Sequence, residues 1–536
     1  MNVLLFSMPD SFEHTPTVGM RMPNGALASL AGNVDPHHHV AIADLVLAQR
    51  DVPGTVARLV RDVAPDLVGL SVMTFQRHTA RRVIALVRTL RPDATVVVGG
   101  YDPSLAPGIY EDPAFDVDVI VRGEGDITFR ELLRAVERGA ADRAPGTGHP
   151  ALADIPGLSY RTAAGWTRNP DRQVSHLDDE VRPPKRGARV LDGYTFLGRR
   201  VDIVETSRGC TYDCSFCSII EMRGRNFHTW SIDRVVADIR DAHDRGARAI
   251  FLVDDNITLN VRRFRELCDA IVAAGLGDID YIVQGMTSAI ASAGDDLARA
   301  MRAAGFRYVF LGIENVLDQD LAFLKASAKN AQREGGRTTG SATWRAVDVL
   351  HRHGMLVVGG LIVGNPGDSR ESIDANLAFA REHVDWPYIQ HPTPYPGTPM
   401  TKDFREKDLI VSDAVEEYDG TTAVVRTEHL SAEDIEFLRW RAERWMKVRH
   451  LPAVVRRHPG FVMRHGLEML RHTFRGTTLR TWLKLESERD AFRRYKTIRR
   501  REREFFPAGD EPASRGNAPA RPPASGGRGR EIRGIA

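Results

Sequence analysis

The chain has 536 residues, and at about 100 to 200 residues per domain that length implies two to four domains. Hydrophobic residues make up 42% and charged residues 27%, and 73 Lys and Arg against 71 Asp and Glu leave a formal charge of +2, so no global basic field points to nucleic acid or an anionic membrane. No uncharged apolar run approaches the roughly 18 residues that span a bilayer, Met1-Asn2-Val3-Leu4-Leu5-Phe6 lacks the basic start of a signal peptide, and four cysteines are too few for a secreted disulfide framework, so a reduced, cytoplasmic, multidomain protein is expected.

Residues 1–140 alternate short apolar runs with amphipathic stretches. Strands are predicted at Val3–Phe6, Val40–Ala43, Leu67–Val72, Thr95–Val98 and Val117–Val121, with helices such as Val56–Val63 and Thr79–Leu90 between them. This alternation predicts an α/β domain, a doubly wound Rossmann-like sheet covered on both faces. Residues 141–194 read as a linker broken by Pro145, Gly146, Pro150, Pro156 and Pro183-Pro184, holding a small hairpin of Leu158–Arg161 and Trp166–Asn169.

Longer units follow, with strands predicted at Val201–Glu205, Ala249–Val253, Ile279–Val283, Tyr308–Leu311, Leu356–Val363 and Tyr388–Gln390. In Ser231–Arg245 the apolar Ile232, Val235, Val236 and Ile239 share a helix face, with Ser231 to cap it and Gly246 to end it. Six βα units over residues 195–405 predict a partial (β/α)6 barrel. Residues 406–506 are helical in composition, with Trp440 and Trp445 expected in an ordinary core, and residues 507–536, rich in Gly, Pro, Ala and Arg, are expected to be disordered.

Cys210-Thr-Tyr-Asp-Cys214-Ser-Phe-Cys217 places three thiols just beyond a predicted barrel strand, at the edge where such folds put their chemistry. On these residues alone a Cys3His zinc knot with His228 stays open. The spacing, with Phe216 before the last cysteine, also resembles the radical S-adenosylmethionine (SAM) superfamily. That resemblance implies that Cys210, Cys214 and Cys217 each ligate one iron of a [4Fe-4S] cluster, leaving the fourth iron for SAM, whose reductive cleavage gives a 5′-deoxyadenosyl radical. It also implies SAM or substrate contacts for Phe216, for Asp254, Asp255 and Asn256 after the second barrel strand, for Glu314 in Phe310-Leu-Gly-Ile-Glu-Asn315, and for Gly360 and Gly364 in Gly359-Gly-Leu-Ile-Val-Gly364. Read without the resemblance, Asp254–Asn256 is equally a helix-capping cluster.

The first domain resembles the cobalamin-binding domain of one branch of that superfamily. Gly69-Leu-Ser71-Val-Met73-Thr74, Val97-Val-Gly99-Gly100 and Arg122-Gly123-Glu124-Gly125 carry the likeness, all at C-terminal strand ends, the crevice where open α/β sheets take ligands. Cobalamin contacts are implied for Ser71, Met73, Thr74, Gly99, Gly100, Gly123 and Glu124; tight strand–helix packing would also explain the glycines. The Asp-x-His of Asp35-Pro-His37-His38-His39-Val40 has Val40 at the glycine position and precedes the second strand, so it reads as a surface turn and not a cobalt ligand.

The resemblance implies a cobalamin-dependent radical SAM methyltransferase acting on an unactivated carbon of a small molecule, with an external one-electron reductant of the flavodoxin or ferredoxin type and no nucleic-acid partner. The alternative is an oxidative cyclase like the anaerobic magnesium-protoporphyrin monomethyl ester cyclase. A methylthiotransferase needs three further cysteines, and only Cys268 remains, on an amphipathic helix. No residue is assigned an acid–base catalytic role.

Overall fold

The computed structural model describes residues 1–13, 16–141, 150–174, 176–334 and 337–506; the disorder expected of 507–536 lies outside them. Five parallel strands, β1 (Asn2–Ser7), β2 (His39–Asp44), β3 (Leu67–Ser71), β4 (Thr95–Gly99) and β5 (Val119–Val121), take the order 2-1-3-4-5. Alternation along β1 builds two cores. Leu4 and Phe6 pack on helices Val52–Val63 and Arg77–Leu90, while Val3 and Leu5 pack on Gly25–Asn33 and Gly125–Ala141.

The predicted hairpin forms as β6 (Leu158–Thr162) and β7 (Gly165–Arg168), but it is not a piece of spacer. β6 pairs antiparallel with β5, Val119 opposite Tyr160, covering what would be an open edge and carrying the first sheet well past residue 140.

The second sheet holds β8 (Arg199–Val204), β9 (Ala249–Leu252), β10 (Asp280–Met286), β11 (Phe306–Glu314), β12 (Leu356–Ile362) and β13 (Trp386–Gln390), parallel and in sequential order. It stays open, because β8 pairs on its other side with the antiparallel strand Thr195–Phe196, and that with Met20–Arg21. Val309, Leu311 and Ile313 of β11 face the helical jacket, and Phe310, Gly312 and Glu314 face the interior. Helix Ile232–Asp244 begins after Ser231 as expected, but the Ser231 hydroxyl makes no cap bond; its backbone N donates to Asp178 at 2.8 Å.

The two sheets dock closely. A Cβ on Gly25 would lie 2.2 Å from Cδ1 of Ile203 on β8, so a larger residue there would force that side-chain end aside. Four helices, Ala432–Arg457, Pro459–Thr473, Leu479–Trp482 and Glu488–Glu502, then return to the first domain. Glu13, in the loop after β1, is ion-paired by Arg475, lies 3.3 Å from the Tyr495 hydroxyl and 3.7 Å from Arg499. Burial works against its charge, but Arg499 and Arg475 hold the carboxyl down to about 2. Trp440 is in a small core with Phe437, Phe492 and Tyr495, as expected. Trp445 is not: it is 48% exposed.

Candidate active site

The cysteine loop leaves the C-terminal end of β8 and is pinned by residues that follow β9. Asp254 accepts from Thr206 N at 2.6 Å and from the Thr206 and Ser207 hydroxyls, each at 2.5 Å. Asp255 accepts from Gly209 N at 2.7 Å, and the Asn256 amide lies 3.9 Å from Cys210 Sγ. Asp254 lines the cysteine cavity, as expected of a residue near SAM or substrate. Its two oxygens are committed to Thr206 and Ser207, so it positions the loop, and burial still holds its pKa above the ordinary carboxylate range.

A cavity of about 410 Å³ opens at the barrel mouth. Cys210, Cys214, Cys217, Phe216, Asp255, Asn256, Glu314 and Gly360 all line it. The thiols are free of disulfides. Burial pushes Cys214 up to about 11 and Cys217 up to about 12, as befits thiols that ionise only against a metal centre. A tetrahedral zinc would hold its sulfurs within about 3.8 Å of one another, given Zn–S bonds near 2.3 Å. Among the described residues the three sulfurs do not form such a tight group. His228 pairs with Arg208 on a two-strand ribbon and does not reach the cavity lining. Three thiols with no histidine in the cavity lining leave a coordination position open, which fits a [4Fe-4S] cluster that takes SAM.

Two features of this cavity lie outside the sequence expectations. Lys329 is mostly buried, its side chain 16% exposed, with its ammonium 2.6 Å from Glu314 Oε1 and 6.0 Å from the Phe216 ring. Glu314 takes a positive φ of 61°, where the register of β11 on β12 shifts, and strain of this kind concentrates at sites of function. Gly364 is a correction. It is off the cavity, in a turn at φ 103° where a Cβ would meet Ile435 at 2.9 Å, and helix approach explains the glycine.

A second cavity of about 870 Å³ lies between the C-terminal edge of the first sheet and the barrel. Ser71, Met73, Gly99, Gly100, Gly123 and Glu124 line it. Thr74 does not; it is buried at the start of a short 3-10 turn beneath the edge, which corrects that expectation. Gly100 has φ 101°, and a Cβ there would stand 2.9 Å from Val72 O, so backbone crossing already demands glycine. The Asp35–Val40 turn is at the opposite edge, where His39 opens β2 beside Asn2. Arg223 lines the cavity with Nη1 3.5 Å from Glu124 Oε1 and 3.8 Å from Asp255 Oδ2, and its buried Nε and Nη1 make no hydrogen bond. A guanidinium with unused hydrogen-bonding capacity beside a glycine-edged crevice fits a large polar ligand such as a corrinoid.

The two cavities abut, with Tyr101 and Val253 lining both. Burial pushes the Tyr101 phenol well up, so it stays neutral. Beside it Arg208, 5% exposed, ties the domains together, donating to Asp126 at 2.7 Å, Glu124 at 3.0 Å and Glu205 at 2.8 Å.

Comparison with known proteins agrees with this layout. The sequence model of the B12 binding domain matches residues 14–133, and that of the radical SAM superfamily matches residues 204–380. The chain is 27% identical to an uncharacterized methyltransferase, PH0819, of Pyrococcus horikoshii, over 88% of this chain and 98% of that protein. It is also 27% identical to the anaerobic magnesium-protoporphyrin IX monomethyl ester cyclase of Cereibacter sphaeroides, over 72% of this chain and 59% of the cyclase. In fold it is similar to the radical SAM methyltransferase TsrM of Kitasatospora setae, solved with cobalamin and a [4Fe-4S] cluster (TM-score 0.61, 22% identity, 76% of this chain and 78% of that one).

Proposed function

The chain belongs to the radical SAM superfamily and carries a B12 binding domain ahead of the barrel, and from that premise we propose that it methylates an unactivated carbon of a small-molecule substrate. The observation that carries this reading is the shared wall of Tyr101 and Val253, which sets the crevice of the first domain directly against the cysteine cavity. When bound, the cluster and SAM supply one-electron hydrogen-atom chemistry and cobalamin supplies a transferable methyl group.

The remaining work falls to the chain's own residues. Cys210, Cys214 and Cys217 would hold the cluster, and Asp254, Asp255 and Asn256 keep their loop in place. Lys329, paired with Glu314, puts a buried ammonium where a SAM carboxylate could be met, with Gly360 leaving room on β12. Ser71, Met73, Gly99, Gly100, Gly123 and Glu124 would hold the corrinoid, and Arg223 would give N–H groups that make no hydrogen bond within the chain to a polar substituent. A neutral Tyr101 between the cavities acts as a spacer that excludes water and offers no base. One-electron donors of the flavodoxin or ferredoxin type are the reductants this site would accept.

The relatives favour methylation over cyclisation, since the methyltransferase aligns along 98% of its length and the cyclase along 59%. Anaerobic turnover with methyl-deuterated SAM tests it. A product carrying one deuterated methyl is expected; a product that has closed a ring with no label gained would replace this reading with the cyclase one.

A further inference from the structure

The large apolar side chains left in solvent are segregated. Of fifteen among the described residues, ten fall between Trp445 and Leu485. On helix Pro459–Thr473, Met463, Leu467 and Leu470 recur at i, i+4 and i+7, a stripe on the solvent side, and Met463 is 86% exposed. The stripe leads to Phe474, whose ring lies 5.6 Å from Trp482 and 6.4 Å from Trp445. The next turn adds Leu479 and Leu483, so the patch is continuous over two helices. Single exposed leucines need no explanation, but a patch of this extent with two tryptophans does.

Charge is segregated with it. Residues 447–485 contain nine lysines and arginines and one acid, Glu468, a formal +8 in a chain whose total is +2. Arg464 and Arg471 flank the apolar stripe, and Arg480 and Lys484 flank Trp482, all four exposed. An apolar face with tryptophan, rimmed by cations, is the composition of a helix lying in the headgroup region of a bilayer. Other occupants fit less well. The tail 507–536 has five arginines against three acids and only Ile532 and Ile535 as large apolar residues, so it can neither neutralise nor cover the patch. A second copy would bring +8 against +8. Among the described residues no helix is long and apolar enough to cross a membrane.

We propose that the face formed by Met463, Leu467, Leu470, Trp482 and Leu483 docks this enzyme on an anionic lipid bilayer. This stands independently of the methyl-transfer reading. Flotation of the full-length, cluster-loaded protein with lipid vesicles tests it. Binding is expected to mixed phosphatidylcholine–phosphatidylglycerol vesicles and not to phosphatidylcholine alone, with release at high salt. Arg464→Gln with Arg471→Gln is expected to weaken binding about fivefold per cation removed, and Leu467→Ser with Trp482→Ser to abolish it, at unchanged iron content. Because the arginine pair is exposed, it keeps the test readable if the second pair fails to fold. Wild-type protein that stays with the aqueous fraction, or variants that bind as tightly as wild type, would overturn the proposal. So would a lipid-free dimer, seen by sedimentation, that Leu467→Ser disperses, since a second copy would then be the occupant.

Discussion

Arg208 of the barrel donates to Asp126 of the first domain across 2.7 Å, and both side chains are buried. Both residues stand in the wall of the larger cavity, so the ion pair ties the first domain to the barrel there. Burial alone would raise the Asp126 carboxyl, but Arg208 overrides it and holds the pKa below the ordinary value. A depressed carboxyl contributes stability that is present above its unfolded pKa and lost as pH falls through the folded one. Arg208→Met is expected to cost about 3 to 5 kcal/mol at neutral pH by stranding buried carboxylates. It should also flatten the acid limb of the unfolding free energy, measured by denaturant titration between mildly and strongly acidic pH.

Anaerobic reconstitution should load about four irons per chain with visible charge-transfer absorption. Cys210→Ala, Cys214→Ala and Cys217→Ala should each lose them. Cys268, fully buried in the barrel's outer core, should be dispensable for iron, and Cys268→Ala should cost on the order of 1 kcal/mol in packing. Tight stoichiometric zinc in place of iron would contradict the cluster.

Glu314→Gln removes the partner of the buried Lys329 ammonium. An uncompensated buried charge costs about 3 kcal/mol or more, and SAM affinity, read by equilibrium dialysis, should fall at least about tenfold by loss of the positioned cation. Iron content should not change. Equal SAM binding by wild type and variant would remove this pair from the site.

Tyr101→Ala opens the wall between the cavities, and Tyr101→Phe keeps it. The alanine variant should consume several SAM per methylated product while the phenylalanine variant matches wild type, as measured by product and SAM-fragment ratios. A matching loss in Tyr101→Phe would give the hydroxyl a role that the spacer argument denies it.

Asp320 is raised to about 7, chiefly by burial, with the neighbouring Asp368 carboxylate adding to it. A carboxyl raised in the folded state keeps its proton longer than in the unfolded chain, so stability falls as pH climbs from about 4 through about 7. Asp320→Asn should be more stable than wild type at pH 8 and gain little at pH 5, by thermal midpoint.

Strand positions were legible because runs such as Leu67–Val72 and Thr95–Val98 are buried on both faces and read as continuous apolar stretches. Helix Gly25–Asn33 was missed because its Gly-Ala-Leu-Ala-Ser-Leu-Ala-Gly-Asn sequence is dominated by small residues with a weak helical signature. The hairpin was visible but its pairing with β5 was not, since only tertiary proximity decides which edge a hairpin covers. The cysteine motif announced its loop through spacing. Lys329 carried no such mark: it sits in the four-residue helix Ser327–Asn330 and meets Glu314 only because β11 ends beside it. Thr74 and Gly364 were placed a residue or a turn beyond the cavities, where strand-end patterns lose resolution.

The clasp on Glu13 sets an order of events on the ribosome. Its partner Arg475 follows 462 residues later, and at 5 to 20 residues per second that is a wait of roughly 25 to 90 seconds. Until then the loop after β1 has a carboxylate without the cations, Arg499 and Arg475 foremost, that make its burial tolerable. The nascent first domain therefore displays that loop unlatched, and the last helices lock it only at the end of translation. Ribosome-bound chains halted before residue 470 should be cut by protease in the 8–13 loop, and full-length chains should resist.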